Sequence, residues 1–296
     1  MRILITGGAG QVGWELRRAL TIFGEVVAPP RDILDLASAD SIVAAVRGIR
    51  PGLIVNAAAY TAVDKAESES GLAMKINGEA PRILAEQAAL RNAALIHYST
   101  DYVFDGSKSE PYREEDEASP INVYGRTKLA GEQGVMAAEA AHLIFRTSWV
   151  YGPRGRNFLL TMLRLAKERK ELKVVDDQFG APTSARMIAE ATAMALSKIL
   201  PQGNMETERF ADMGGLYHLT AAGRTTWFEF AREIVRNRAG SATVVPIPTS
   251  AYPTPARRPK NSVLENSKLE RKFGFLLPDW QVGLGLCLEE LGAQGQ

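Results

Sequence analysis

Along the first half of the chain, short apolar runs alternate with longer segments of helical periodicity. The apolar runs cover residues 3–5, 53–55, 95–98 and 143–145, and the helical patterns cover residues 12–23, 72–90 and 123–136. Strands that alternate with helices in this way indicate βαβ units and a parallel sheet with helices on both faces. The sequence therefore predicts an α/β fold with a doubly wound parallel sheet.

A glycine-rich segment, TGGAGQVG, follows the first apolar run directly and leads into a helical pattern. Glycine at positions 7, 10 and 13 allows a tight turn, a close approach of the backbone to a pyrophosphate, and close packing of helix on strand. A glycine turn without a ligand is the alternative. The position of the segment within a βαβ pattern favours a Rossmann-type dinucleotide-binding domain.

The pattern of short strands loosens beyond Trp149, where helices are predicted at residues 158–169 and 187–200 with Gly/Pro-rich connections. We predict an NAD(P)-binding domain over residues 1–149, with sheet elements returning later, and a mainly substrate-binding smaller lobe over residues 150–296. Residues 246–259 contain five prolines and are expected to run extended across the surface.

Composition excludes several classes of function. Lys plus Arg number 35 and Asp plus Glu 34, so no general attraction to nucleic acid or anionic lipid is expected. The single cysteine, Cys287, excludes an intrachain disulfide and lies in an apolar stretch, which favours burial over reactivity. The three histidines have no zinc-ligand spacing, and no apolar stretch is long enough for a membrane span. We expect a cytoplasmic protein.

Charged residues after the second predicted strand, residues 25–28, bear on the choice of cofactor. Arg31 suits the 2′-phosphate of NADP, whereas Asp32 or Asp35 suits the free ribose hydroxyls of NAD. All three could instead be solvated loop charges. We expect NADPH, with NADH use left open.

Three alanines after the third strand, Ala57, Ala58 and Ala59, leave room for a nucleotide at the sheet edge, unless they only pack on a helix. The predicted cofactor-binding residues are Gly7, Gly10, Gln11, Val12, Gly13, Arg31, Asp35, Leu36, Ala57, Ala58, Ala59, Tyr124 and Lys128.

Tyr124 and Lys128 are four positions apart on a predicted helix, which places both on one face. A neighbouring ammonium lowers the pKa of a tyrosine and suits it to acid/base catalysis, although a plain helix-surface pair has the same spacing. Thr100, at the end of the fourth strand, could hydrogen-bond a substrate oxygen beside the tyrosine. These three residues are the predicted catalytic residues.

These motifs resemble the extended short-chain dehydrogenases. The strings NAAAYTAVDKAE, HYSTDYVFDG, VYGRTKLAGE, FRTSWVYG, DQFGAPT and YPTPARRP are similar to the dTDP-4-dehydrorhamnose reductase family over nearly the whole chain. The resemblance implies reduction of the 4-keto group of dTDP-4-dehydro-6-deoxy-L-mannose with hydride from NADPH or NADH. It implies that Tyr124 donates the proton, that Lys128 binds the nicotinamide ribose, and that Thr100 fixes the carbonyl oxygen of the substrate.

The same resemblance implies a set of substrate-binding residues: Thr61, Val63, Thr100, Asp101, Tyr124, Trp149, Arg257 and Arg258. The two arginines would face the diphosphate as a bidentate clamp. Trp149 could instead be a core residue, since an indole buries well wherever its N–H finds a partner. Paired arginines after prolines could likewise be solvated.

The family pattern also implies a homodimer whose contact uses magnesium and glutamates, for which Glu190, Glu289 and Glu290 are the candidates. Arg186 lies in the first turn of the helix that carries Glu190, and the glutamate spacing does not itself specify a metal. We therefore assign no metal ion.

Two other functions remain open on sequence grounds. An epimerase or dehydratase of the same fold would keep NAD bound and return the hydride. Dehydratases need a further acid/base pair beside the threonine, whereas Thr100 is followed by Asp101 and Tyr102. A non-catalytic regulatory subunit that only binds NADP would not need Thr100, Tyr124 and Lys128 together.

Overall fold

The computed structural model describes residues 1–200, 207–238 and 242–293. Its strands are β1 Arg2–Thr6, β2 Glu25–Val27, β3 Leu53–Asn56, β4 Ala94–Thr100, β5 His142–Thr147, β6 Val150–Tyr151, β7 Glu171–Val175, β8 Phe179–Gly180, β9 Thr183–Ser184, β10 Gly215–His218, β11 Thr225–Thr226 and β12 Thr243–Ile247. Its helices are α1 Gln11–Ala19, α2 Ala39–Ile49, α3 Val63–Ala66, α4 Ser70–Met74, α5 Ala80–Ala89, α6 Val123–Ala137, α7 Phe158–Glu168, α8 Ala185–Ile199, α9 Thr207–Met213, α10 Trp227–Arg238, α11 Ser267–Phe273 and α12 Trp280–Ala293.

The predicted apolar runs become strands of one parallel sheet with the order β10-β5-β4-β3-β1-β2. Their side chains are almost fully buried, because helices cover both faces. β1 pairs with β2 on one side and with β3 on the other, so the direction of winding reverses at β1. Ligands of open α/β sheets bind beyond the carboxyl ends of the strands at such a reversal.

Each face of the sheet has its own apolar core. On one face, Leu16 of α1 and Ile188 of α8 pack with strand residues such as Ile5. On the other face, Ile42 of α2 and Leu84 of α5 pack with residues such as Ile54. The predicted α/β fold with a doubly wound sheet is confirmed, and α8 and β10 from the second half of the chain belong to it.

A third apolar core lies entirely after residue 150 and contains Tyr151, Leu159, Phe230 and Trp280. Cys287 is buried in it, and burial raises the pKa of the thiol to about 12. The small parallel pairs β6–β9 and β7–β12 belong to this part of the chain. The division of the chain at residue 149 stays a prediction.

Three local predictions were wrong in detail. The first helix ends at Ala19, and residues 21–23 form a separate 3₁₀ turn. The pattern over residues 72–90 is broken by a π-helical turn at Lys75–Glu79, which hydrophobic periodicity does not reveal. The proline-rich segment, residues 246–259, departs from an extended course at residues 249–251, which form a 3₁₀ turn, although its first two residues lie in β12.

No helix within the described residues is both long and apolar enough to cross a membrane.

Candidate active site

The glycine-rich loop links β1 to α1 in a conformation that only small residues permit. Gly7 has a φ of 67°, and a Cβ atom there would lie 2.8 Å from the backbone nitrogen of Ala58. A Cβ atom on Gly13 would overlap the carbonyl group of Gly7. No side chain caps the first turn of α1, so its N–H groups stay available to an anionic ligand.

A cavity of about 380 Å³ opens beside this loop, at the carboxyl ends of β1, β2 and β3. The predicted cofactor-binding residues that line it are Gly7, Arg31, Asp35, Leu36, Ala58 and Ala59. Gln11 instead accepts a hydrogen bond of 2.7 Å from Asn157, which closes the other side of the α1 N-terminus. The glycine cradle and this cavity fit the pyrophosphate and adenosine of a dinucleotide.

Two arginines reach the same cavity, one of which sequence reasoning missed. Arg31 is exposed and lies 3.5 Å from the carboxylate of Asp35. Arg17 of α1 also lines the cavity, and its Cδ would be 3.2 Å from a Cβ atom on Gly8. Its place one helical turn after Gly13 was a usable signal, because that position faces the loop.

Tyr124 lies in the first turn of α6, and two contacts fix where that helix begins. Asn122 caps it by accepting a hydrogen bond of 2.7 Å from Gly125, and its amide donates to the carbonyl of Arg257 at 2.8 Å. A Cβ atom on Gly125 would overlap the carbonyl oxygen of Tyr102, so the helix start lies directly on the turn after β4. This packing brings the side chain of Tyr124 close to that of Thr100.

The electrostatics of the pair differ from the simple expectation. Burial raises the pKa of Tyr124 to about 12, although the hydrogen bond with Thr100 lowers it. Burial lowers the pKa of Lys128 to about 8, against the opposing charge of Glu132. The expected lowering of the tyrosine pKa is therefore wrong for this structure, because desolvation of the phenolate outweighs the other effects.

Lys128 is 1% exposed and points toward β4. Its ammonium donates a hydrogen bond of 2.6 Å to the carbonyl of Tyr98 and lies 3.4 Å from Nε2 of His97. Sequence reasoning missed His97, which is fully buried beside the lysine. These contacts with β4 therefore fix the position of the Lys128 ammonium.

Asp101 follows Thr100 and is also buried. The hydroxyl of Thr100 donates to a carboxylate oxygen of Asp101 at 3.0 Å and accepts from the backbone N–H of Tyr102 at 3.2 Å. Burial raises the pKa of Asp101 to about 7. Thr100, Asp101 and Tyr124 thus form one polar cluster at the end of β4.

Trp149 lies in a strained backbone position with a φ of 47°. Its ring stacks on Trp227, with centroids 3.5 Å apart and an angle of 6° between the planes. The indole is partly buried, so it has both a packing role and an accessible part. Of the other expected substrate residues, Thr61 is exposed and Val63 begins α3.

The two arginines of the expected diphosphate clamp have different surroundings. Arg257 is exposed. Arg258 donates to both carboxylate oxygens of Asp64, at 3.1 and 2.9 Å, and to the carbonyl of Ala256 at 3.0 Å. Asp64 was not singled out from the sequence, because no local pattern pairs it with a residue 194 positions away.

The glutamates considered for magnesium lie on α8 and α12. Glu190 and Glu289 are exposed, and Glu290 lies 3.0 Å from Arg186 in an ion pair. Across the described ranges, no group of three or more His, Cys, Asp or Glu side chains could hold a metal ion.

Comparisons with known proteins agree with this geometry. A family model described as the RmlD substrate binding domain matches residues 1–293. A dTDP-4-dehydrorhamnose reductase from Burkholderia thailandensis is 51% identical over 302 residues, covering 99% of this chain and 100% of the relative. A solved dTDP-4-dehydrorhamnose reductase from Clostridium acetobutylicum superposes with a TM-score of 0.89 at 39% identity, covering 99% of this chain and 100% of that one. Another, from Bacillus anthracis in complex with NADP, gives 0.88 at 36%, covering 98% and 99%. The chain therefore belongs to the dTDP-4-dehydrorhamnose reductase family.

Proposed function

We propose that this chain reduces dTDP-4-dehydro-6-deoxy-L-mannose to dTDP-L-rhamnose, the last step of dTDP-L-rhamnose biosynthesis, with hydride from NADPH or NADH. The observation that carries the proposal is the cluster of Thr100, Asp101 and Tyr124 at the carboxyl end of β4, the same edge of the sheet as the cavity beside the glycine loop. Relatives that share this activity in their names are similar over the full chain.

When bound, the nicotinamide would supply the hydride for carbon C4 of the sugar. Tyr124 transfers its phenolic proton to the oxygen at C4, so the carbonyl becomes a hydroxyl. A pKa of about 12 keeps Tyr124 protonated at neutral pH, as a proton donor requires. Thr100 donates to the same oxygen once its hydroxyl turns away from Asp101, which stabilises the developing negative charge.

Lys128 acts from beneath the tyrosine. With one N–H directed to the carbonyl of Tyr98, it keeps further donors for the ribose of the cofactor. Its positive charge stabilises the phenolate that Tyr124 becomes after proton transfer. The same ammonium group therefore binds the cofactor and stabilises the phenolate of Tyr124.

For the cofactor, we propose a preference for NADPH. Arg17 and Arg31 line the cavity where the 2′-phosphate would lie, and two guanidinium groups suit a phosphate better than a hydroxyl. Asp35 faces the same cavity and pairs with Arg31. Its carboxylate can accept hydrogen bonds from the free ribose hydroxyls of NADH, so use of NADH stays open.

For the substrate, we propose that the lobe after residue 149 closes over the nucleotide sugar. Thr61, Val63, Asp101 and Trp149 contact the sugar and base. Arg257 binds the diphosphate, because its guanidinium is exposed. Arg258, held by Asp64, adds charge and fixes the segment that carries Arg257.

A direct assay tests the function. The purified protein is given the 4-keto sugar nucleotide with NADPH and then with NADH, while absorbance of the nicotinamide and the configuration at C4 are followed. Stoichiometric oxidation of the cofactor with formation of the L-rhamno product supports the proposal. Product without net oxidation of cofactor would instead identify an epimerase, and binding of NADPH without turnover would identify a binding subunit.

A further inference from the structure

A row of buried polar side chains crosses three strands beneath the candidate active site. Thr6 of β1, Asn56 of β3 and His97 of β4 are ladder partners in adjacent strands. The hydroxyl of Thr6 donates to the amide oxygen of Asn56 at 2.6 Å, and the amide nitrogen of Asn56 lies 3.1 Å from Nδ1 of His97. Nε2 of His97 lies 3.4 Å from the ammonium of Lys128. All four side chains are at most 1% exposed.

The other end of the row lies at the glycine loop. The hydroxyl of Thr6 accepts a hydrogen bond of 3.3 Å from the backbone N–H of Ala58, and Thr6 lines the dinucleotide cavity. Polar groups in the middle of an apolar sheet are costly unless each one is hydrogen-bonded. The row thus links the cofactor loop to the catalytic lysine through bonds that must all be satisfied together.

The hydrogens in this row depend on the charge of Lys128 and on the direction of the Asn56 amide. A charged Lys128 can only donate, so Nε2 of His97 must be bare and Nδ1 must carry the hydrogen. Nδ1 then donates to the amide oxygen of Asn56, which requires the amide to turn by 180° from the direction in which its oxygen accepts from Thr6. A neutral Lys128 can donate or accept, so both tautomers of His97 are compatible with it.

The ammonium form of Lys128 therefore selects one tautomer of His97 and one direction of the Asn56 amide. The protein takes two hydrogen-bond positions of the lysine nitrogen, at Tyr98 and at His97, and leaves the remaining one for a ligand.

The other ionisable groups around this pair come from α6, β4 and β5. Glu132 lies one turn beyond Lys128 on α6, but its carboxylate is held by Arg146 of β5 in hydrogen bonds of 2.9 and 2.7 Å. Tyr124 lies one turn before Lys128, and Asp101 acts on Tyr124. The phenol of Tyr98 bonds Thr192 on the far side of β4 at 2.7 Å. The ammonium of Lys128 is thus in direct contact with two neutral groups, the carbonyl of Tyr98 and the ring of His97.

We propose that His97 is a positioning residue for the reduction: its Nε2 accepts from Lys128, which holds the lysine as an ammonium beside Tyr124 and couples it to the cofactor loop through Asn56 and Thr6. This inference rests on the proposed function. Loss of the acceptor destabilises the ammonium relative to the amine, so Lys128 loses its charge at lower pH. The rate of reduction should then fall at lower pH than in the wild type.

The first test compares His97→Gln with His97→Leu. Glutamine keeps an acceptor oxygen, whereas leucine has a similar volume and none. For His97→Leu, we expect the alkaline limb of the kcat/KM profile with NADPH to move down by about one pH unit, and for His97→Gln we expect the wild-type midpoint. Thermal unfolding of each variant checks that it folds. Unchanged profiles in both variants, or equal shifts in both, would overturn the proposal.

The second test uses the wild-type protein and does not depend on the variants folding. In protein with ¹⁵N-labelled histidine, the ring-nitrogen shifts of His97 should report the Nδ1–H tautomer at neutral pH, where Lys128 is charged. The Nε2–H tautomer at neutral pH would overturn the proposal, because Nε2 could then not accept from Lys128. Because this readout needs no substrate, it remains valid if the assay above shows that the keto sugar is not turned over.

Discussion

The guanidinium of Arg258 donates two hydrogen bonds, of 3.1 and 2.9 Å, to the carboxylate of Asp64. The pair lowers the pKa of Asp64 and joins α3 to the proline-rich segment near the end of the chain. Because most donors of Arg258 are used in this way, its neighbour Arg257 presents the freer guanidinium to a ligand. The two adjacent arginines therefore have different tasks.

Replacing Arg257 tests this division. We expect Arg257→Ala to raise the KM for the sugar nucleotide by roughly tenfold with little change in kcat, because a diphosphate remote from C4 is bound equally in ground and transition states. Lys260→Ala, which removes another exposed cation nearby, serves as the control and should leave KM unchanged. Equal effects of the two substitutions would show only a general influence of charge.

Removing the proton donor has a different signature. Tyr124→Phe should lower kcat by roughly a hundred- to ten-thousand-fold while the affinity for NADPH stays near that of the wild type, since only the transferable proton is lost. Fluorescence titration of NADPH measures the affinity, and single-turnover absorbance measures the chemical step. Turnover near the wild-type rate would remove Tyr124 from the mechanism.

The pH dependence of the chemical step follows from two pKa values of opposite direction. Tyr124 has a pKa raised to about 12 and stays protonated, whereas Lys128 has a pKa lowered to about 8 and loses its charge above that value. The rate of hydride transfer should therefore fall as the pH rises through about 8. Lys128→Met should be slow at every pH and lack this transition. A wild-type rate that stays flat to roughly pH 10 contradicts the assignment.

Cofactor preference tests the two arginines of the nucleotide cavity. Arg31 is paired with Asp35 at 3.5 Å, whereas the stem of Arg17 lies over Gly8. Both Arg31→Ala and Arg17→Ala should weaken NADPH more than NADH, because only NADPH has a 2′-phosphate. Isothermal titration with both cofactors measures the ratio. Equal losses for NADPH and NADH would refute a 2′-phosphate role for the arginine concerned.

Some of these features can be predicted from the sequence, and others cannot. The runs at residues 3–5 and 53–55 predict strands because burial on both faces requires continuous apolar side chains. The glycine loop is predictable because its backbone excludes side chains. The contacts of Lys128 with β4 depend on how a helix packs on a strand some thirty residues away, and helical spacing alone gives only the face it shares with Tyr124.

The hydrogen bond between His97 and Asn56 depends on the register of β3 and β4, which local sequence patterns do not predict. The pairing of Arg258 with Asp64 likewise depends on the path of a loop. Sequence patterns therefore do not predict polar contacts between segments that are distant along the chain.

A buried ion pair beside the site offers a prediction about stability. Arg146 and Glu132 have side chains only 4% and 0% exposed, and they are joined by two hydrogen bonds. Glu132→Gln leaves a buried guanidinium without its counter-charge, which should lower the free energy of unfolding by about 3 kcal/mol. Chemical denaturation measures the loss.

Two controls make that prediction specific. Glu168→Gln breaks the ion pair with Arg164, which is exposed on both sides and should contribute little to stability. The double replacement of Glu132 and Arg146 by Met removes both charges and keeps much of the buried volume, so it should recover a large part of the stability lost in Glu132→Gln. If the double variant were less stable than the single one, the pair would stabilise the fold by its own attraction. The cost in Glu132→Gln would then not be that of an unpaired charge.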